Sequence, residues 1–206
     1  MYQLLSRDPI DYVNIAERVN DDSDVEILLD FILLLLREHH LPKTADARDI
    51  NLRARRLMLK VTTRRPVIPW SLIVTGASIQ SENNFIGHGG FGHVVKGELK
   101  GAPVALKVLY RTHNNIVSYY LDLVMKCQCR FNEDFRREAL MWRSLNHDHV
   151  LPFLGIYEVD AVSYLVSPYM ENGTLAQWRK KENPSIAEIE DRVWLFFHPL
   201  VAMLTM

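Results

Sequence analysis

A glycine-rich segment, residues 86–94, restricts the possible folds of this chain more than any other stretch. It reads IGHGGFGHV, two strand-like halves joined by a turn, with Gly87, Gly89 and Gly92 at G-x-G-x-x-G spacing. A residue without a Cβ can adopt positive φ and lets backbone N–H groups approach an anion closely. The segment therefore predicts a hairpin that covers a phosphate group. The alternative is a glycine-rich hairpin with a purely structural role.

The residues around this hairpin favour one kind of phosphate site over another. Phe91 and Val94 extend the motif to G-x-G-x-F-G-x-V, and the apolar run Val104-Ala-Leu-Lys107 follows a turn at residues 100–103. This combination resembles the N-terminal lobe of a eukaryotic-type protein kinase. A dinucleotide-binding fold would require a helix directly after the glycines. Residues 93–99 instead alternate as a strand does, so we reject that fold.

The resemblance implies roles for two charged residues. In protein kinases, a lysine on the third strand holds the α- and β-phosphates of ATP, and a glutamate on the following helix pairs with it. Lys107 matches the lysine. The segment EDFRREALMWRSL at 133–145 has apolar residues at helical spacing and matches that helix, so Glu138 is the implied partner. We interpret His147, in the turn that follows, as structural rather than as an acid or base.

A second group of implied nucleotide contacts lies in the hinge. Residues 156–159 and 163–166 alternate as two strands of a hairpin, and the segment SPYMENGTL follows. By resemblance Ser167 takes the gatekeeper position. Pro168 has no N–H and offers only its carbonyl to adenine, while Met170 is the donor. Val94 and Ala105 are expected to sandwich the adenine ring, or else to be core residues only. The implied contacts in the glycine-rich hairpin are Ile86, Gly87, His88, Gly89, Gly90, Phe91, Gly92, His93 and Val94.

The first 65 residues predict helices. We expect two, over about 9–20 and 24–38, the second starting after Ser23, and a third from Thr44 to about Thr63. Charge is segregated, because residues 1–30 hold eight acids and two bases, whereas residues 43–65 hold eight bases and two acids. The basic face of the third helix suits a solvated surface, or else a ligand such as acidic lipid or RNA.

Composition and charge limit the classes of protein to which this chain can belong. The chain has 206 residues, 48% of them hydrophobic, and a net charge of −1. We therefore expect a soluble, intracellular, cytoplasmic protein with no nucleic-acid partner. The apolar run at 25–36 contains Glu26 and Asp30 and is too short to span a membrane. Cys127 and Cys129 are expected to be reduced thiols, because no secretory signal precedes them, and two cysteines alone do not make a zinc site.

These patterns predict an α+β chain with four parts. They are a helical N-terminal region at 1–65, a linker and leading strand at 66–84, a kinase-like N-lobe and hinge at 85–170, and an incomplete C-lobe at 171–206. The N-lobe is expected to hold five antiparallel strands from about Phe85 to Val166, with the glutamate-bearing helix against them. A short strand is expected at 71–75 and a short helix at about 174–183. Residues 110–132 form an insertion relative to the family, either an additional loop or helix or else sequence that is not meant to be translated.

Two functional hypotheses follow. No H-R-D-like segment follows the hinge and no D-F-G segment occurs in the sequence, and these segments supply the base and the Mg²⁺ ligands of protein kinases. The first hypothesis is a protein-kinase-like, ATP-binding polypeptide, with protein phosphorylation implied by the resemblance and no metal ligand identified. The alternative is a non-catalytic, pseudokinase-type scaffold that binds a protein partner through its helical N-terminal region.

Overall fold

The computed structural model describes residues 15, 18–19, 21–37, 45–79, 85–89, 92–109, 133–148, 150–160, 162–173 and 175–182. Within these ranges the chain has an α+β fold, as the sequence predicts. It divides into two compact units. The first unit contains the described residues up to Leu72 together with 133–146, and the second contains the other described residues.

Three helices of the first unit pack together: α1 at Asp22–Arg37, α2 at Ala45–Arg64 and α3 at Glu133–Arg143. In each helix the buried apolar residues recur every three or four positions, which places them on one face. The largest apolar side chains buried in α1 and α2 are Val25, Leu29, Ile32, Leu33, Leu36, Ile50, Leu57, Met58 and Val61. The helices predicted at 24–38 and 44–63 are confirmed. Of the helix predicted at 9–20, only Ile15, Arg18 and Val19 are described, and the first two are helical.

Helix α1 begins two residues before its predicted start. The N–H of Ser23 donates to Oδ1 of Asp21 at 3.3 Å, and the N–H of Val25 donates to the carbonyl of Asp21 at 3.1 Å. Aspartate is among the preferred N-cap residues because its carboxylate accepts from the otherwise unsatisfied first N–H groups of a helix. The cap is therefore Asp21 rather than Ser23.

Polar contacts supplement the apolar packing of the first unit. The side-chain amide of Asn146 donates to the carbonyl of Arg37 at 2.9 Å, and so satisfies an acceptor at the C-terminus of α1. Ser71 donates to the carboxylate of Asp30. Burial lowers the pKa of Arg143, with a further lowering by Arg37, while Asp30 raises it.

The second unit is built on a six-stranded antiparallel sheet. Its strands are β1 at Ala77–Ile79, β2 at Phe85–Gly89, β3 at Gly92–Leu99, β4 at Ala102–Leu109, β5 at Gly155–Val159 and β6 at Val162–Pro168. Strands β3, β4, β6 and β5 lie side by side in that order, and both β1 and β2 pair with β3. The five predicted strands are confirmed, and β1 is a sixth. Helix α4, at Leu175–Glu182, follows the hinge as predicted.

The strand predicted at 71–75 is wrong. Residues Trp70–Leu72 form a short 3-10 helix, in which the N–H of Leu72 donates to the carbonyl of Pro69 at 3.0 Å. Ile73 makes one parallel bridge to Ile156, and the leading strand starts only at Ala77. The apolar character of this segment reflects burial rather than a strand, because Leu72 is fully buried inside the 3-10 turn.

One face of the sheet carries the core of the second unit. Val95, Val104, Leu106 and Val166 form a buried cluster. Successive residues of a strand point to opposite faces, so the residues that alternate with this cluster lie on the other face of β3, β4 and β6. That second face contains the predicted site.

Candidate nucleotide-binding site

Strand register brings four predicted site residues onto one face of the sheet. Val94 lies opposite Lys107 across β3 and β4, and Ala105 lies opposite Ser167 across β4 and β6. Directly paired residues share a face, and positions 105 and 107 share one because they are two apart. Val94, Ala105 and Lys107 are half-buried, and Ser167 is buried. The face thus offers an apolar patch with a lysine at one side and a buried hydroxyl at the other.

The glycine-rich hairpin is formed by β2 and β3. Gly89 lies opposite Gly92 and Gly87 lies opposite Val94, with a register shift between Phe85 and Gly87. Residues Ile86, His88 and His93 also belong to this hairpin, whereas Gly90 and Phe91 lie outside the described residues. The hairpin is therefore present as predicted, and its contact with phosphate stays a prediction.

Gly92 has a structural reason to be glycine besides any contact with phosphate. A Cβ added there would overlap the carbonyl oxygen of Val108 on the neighbouring strand. Backbone atoms cannot yield as a flexible side chain does, so any larger residue would push β3 and β4 apart. For this glycine the structural reading holds, and its contact with phosphate stays a prediction.

The hinge presents few backbone groups to a ligand. The N–H of Tyr169 donates to the carbonyl of Pro103 at 3.2 Å, and Pro168 has no N–H. The carbonyl of Met170 accepts from the N–H of Gly173 at 3.0 Å, in a turn where Gly173 has φ of 71°. The role of the Met170 N–H as the donor to adenine stays a prediction.

One contact beside the hinge was missed by the sequence reasoning. The ammonium of Lys96 lies 4.4 Å from the centre of the Tyr169 ring, within the range of a cation–π interaction. Lys96 is paired with Ala105, and so lies on the same face as the predicted site. The only available signal was that Lys96 follows Val94 by two positions, and this does not reveal an aromatic partner.

The predicted glutamate partner belongs to the first unit. Glu138 lies on α3 and is only 7% exposed, although glutamates are rarely buried unless they are paired. Lys107 lies on the site face of β4 in the second unit. The pairing of Lys107 with Glu138 stays a prediction.

The described residues offer no support for two other kinds of site. Those residues contain no group of three or more His, Cys, Asp or Glu side chains that could hold a metal ion. In the same part of the chain, no helix combines the length and the apolar character needed to cross a membrane. The cysteines, the insertion at 110–132 and residues 183–206 of the expected C-lobe lie outside the described residues.

Comparison with known proteins identifies the family. The protein tyrosine and serine/threonine kinase family matches residues 81–196, more than half of the chain, and the chain belongs to this family. It is 30% identical over 114 residues to a protein of Dictyostelium discoideum named "Probable serine/threonine-protein kinase kinX". It is 35% and 33% identical, over 100 and 104 residues, to two Arabidopsis thaliana proteins named "Probable receptor-like protein kinase".

The matched region is a small part of these relatives. The three alignments cover 55%, 46% and 50% of this chain, but only 9%, 14% and 18% of the respective relatives. The match establishes the protein kinase family for residues 81–196.

A larger side chain at position 105 is expected to weaken nucleotide binding without unfolding the sheet. A leucine at this half-buried position would fill the space that adenine needs, and we expect Ala105→Leu to weaken binding of a fluorescent ATP analogue about tenfold or more. Ala102→Leu is the matched control, because Ala102 is exposed on the same strand. If the two variants bind the ATP analogue with equal affinity, Ala105 does not contact the nucleotide.

Proposed function

We propose that this chain binds ATP on the face of β3, β4 and β6 that carries Val94, Ala105, Lys107 and Ser167. The shared face of these residues is the observation that carries the proposal. An adenine ring needs an apolar surface and an edge with one donor and one acceptor, and a triphosphate needs a cation. The patch of Val94 and Ala105, the hinge, and Lys107 supply these groups.

Each part of the site has a defined task. Val94 and Ala105 contact the ring, while the carbonyl of Pro168 and the N–H of Met170 pair with its edge. Lys107 binds the α- and β-phosphates, and the β2–β3 hairpin covers them with backbone N–H groups. Glu138 holds Lys107 in the direction of the phosphates, and acts as a positioning residue. Magnesium would neutralise phosphate charge, but no protein ligand for it is identified in this sequence, so we assign no residue to it.

We do not propose phosphoryl transfer for the 206-residue polypeptide itself. We propose it only for kinases that contain a region like residues 81–196. Transfer depends on neutralisation of the developing charge by Mg²⁺ and on a placed hydroxyl acceptor. The H-R-D-like and D-F-G segments that perform these tasks are not found in the sequence. We propose a cytoplasmic location, while noting that two of the relatives are named receptor-like kinases.

The polypeptide is expected to transfer no phosphate above background. The assay combines purified chain, labelled ATP, Mg²⁺ and a generic protein substrate, with Lys107→Met as the control for contaminating kinases. Incorporation that disappears in Lys107→Met would contradict the expectation and would show that a catalytic base exists elsewhere in the chain.

The alternative, a non-catalytic scaffold, predicts the same negative result in that assay. The two hypotheses differ in nucleotide binding, which the scaffold does not need. Saturable binding of an ATP analogue that Ala105→Leu weakens supports the nucleotide site. No saturable binding by the folded chain would favour the scaffold.

A further inference from the structure

The first unit contains a cleft of about 300 Å³ between α2 and α3. Its described lining residues all belong to these two helices. Most of the lining side chains are basic or carry hydroxyl groups. The lining residues are Arg56, Leu59, Lys60, Thr62, Thr63, Glu133, Arg136 and Arg137.

Among the described residues that line the cleft, four are cationic and one is a carboxylate. Arg56 and Lys60 are four residues apart on α2, which places them on one side of that helix, and Arg136 and Arg137 come from α3. Like charges collected from two helices repel one another unless an anion lies between them. The exposed ends of Arg56, Lys60 and Arg137 are accessible to such an anion.

The carboxylate in the cleft balances at most one of these four positive charges. Glu133 accepts from the hydroxyl of Thr63 at 3.5 Å, and the same hydroxyl is 2.9 Å from the carbonyl of Leu59. Burial lowers the pKa of Arg136, and Glu133 raises it. An excess of positive charge therefore remains in the cleft.

We propose that this cleft binds a small polyphosphorylated anion, of the inositol phosphate type, either free or as a phospholipid headgroup. Guanidinium groups match phosphate oxygens in a bidentate geometry, and several cations at one place favour a ligand with several negative charges. RNA fits less well, because the described lining residues include no aromatic side chain on which a base could stack. A ligand that bridges α2 and α3 stabilises the first unit, since it binds only the folded arrangement.

The test is a titration of the full 206-residue chain with inositol hexakisphosphate. Calorimetry measures binding, and the midpoint of thermal unfolding is measured with and without the ligand. A parallel series uses phosphatidylcholine vesicles with and without phosphatidylinositol 4,5-bisphosphate. We expect saturable binding that weakens as salt is raised, and a higher unfolding midpoint in the presence of ligand. Binding to the soluble probe alone identifies a free ligand, and binding to the vesicles alone identifies a headgroup.

Two charge-matched double variants locate the site. Arg56→Gln/Lys60→Gln removes two exposed cations from the cleft, and we expect it to weaken binding about tenfold or more. Arg179→Gln/Lys180→Gln removes one arginine and one lysine from exposed positions of α4, and should leave binding unchanged. Circular dichroism establishes that both variants are folded. An equal loss in the two variants, or no saturable binding of either probe by the unmodified chain, would overturn the proposal.

Discussion

Replacing Leu106 by alanine is expected to destabilise the second unit by about 2–5 kcal/mol, the usual cost of truncating a fully buried leucine. Leu106 is 0% exposed and lies in the cluster with Val95, Val104 and Val166. Its loss removes apolar contacts and leaves a cavity, which strands paired on both sides cannot easily close. Denaturant unfolding, monitored by circular dichroism, measures the change.

Leu109→Ala is the matched control for this substitution. Leu109 belongs to the same strand but is half-buried at its end, on the face of Ala105 and Lys107. Because less of its side chain is removed from water, we expect a loss of only about 1 kcal/mol. A cost for Leu109→Ala as large as that for Leu106→Ala would mean that the two faces of β4 have been assigned the wrong way round.

Removing the positive charge of Lys107 is expected to produce the largest loss of nucleotide affinity. Lys107→Met keeps the length of the side chain and its apolar stem, so the change reports on the ammonium group. A hydrogen bond to a charged group is worth about 1.5–3 kcal/mol, which corresponds to about a ten- to hundredfold weaker binding of an ATP analogue. Lys100→Met, in the exposed turn between β3 and β4, should have no effect.

Glu138→Gln tests the positioning role separately. The amide keeps the size of the side chain but removes the charge that is proposed to direct Lys107. We expect weaker analogue binding than in the unmodified chain, with a smaller loss than in Lys107→Met. Glu138 is buried, so the small value of an exposed ion pair, about 0–1 kcal/mol, does not apply to it and unfolding must be measured in parallel. If neither Lys107→Met nor Glu138→Gln weakens binding, both assigned roles are wrong.

The sheet was predictable because strand alternation is a local signal. The β3–β4 and β5–β6 hairpins follow from alternation on either side of short turns, and in both of them a non-glycine residue, Lys100 or Asp160, adopts positive φ. Strand β1 was missed because three residues are too few to show a period. The apolar run at 71–75 gave a false strand, since burial alone does not distinguish a strand from a 3-10 turn.

The grouping of helices was not predictable from the sequence. Phe135, Ala139 and Trp142 show that one side of α3 is buried, but not which elements cover it. Its packing with α1 and α2 depends on chain segments that lie far away in the sequence. For the same reason, the sequence revealed only one side of the cleft between α2 and α3. The basic face of α2 was recognised, whereas the contribution of Arg136 and Arg137 required the packed helices.

The nucleotide site was predictable to the extent that it depends on strand alternation. The motif placed Val94, Ala105 and Lys107, and the register adds that they share a face with Ser167. The contact of Lys96 with Tyr169 has no such signal, because it joins a strand to the hinge through side chains alone.

Covalent labelling gives the most direct test of ATP binding on this face. An ATP derivative with an acyl phosphate at the end of its phosphate chain transfers its acyl group to a lysine amine that lies beside the bound phosphates. Mass spectrometry of the digested chain then identifies the labelled residue. We predict labelling of Lys107 that excess ATP suppresses and that Ala105→Leu reduces. Labelling that ATP does not suppress, or that falls on Lys100 or Lys180 rather than on Lys107, would contradict the assignment of this face as the nucleotide site.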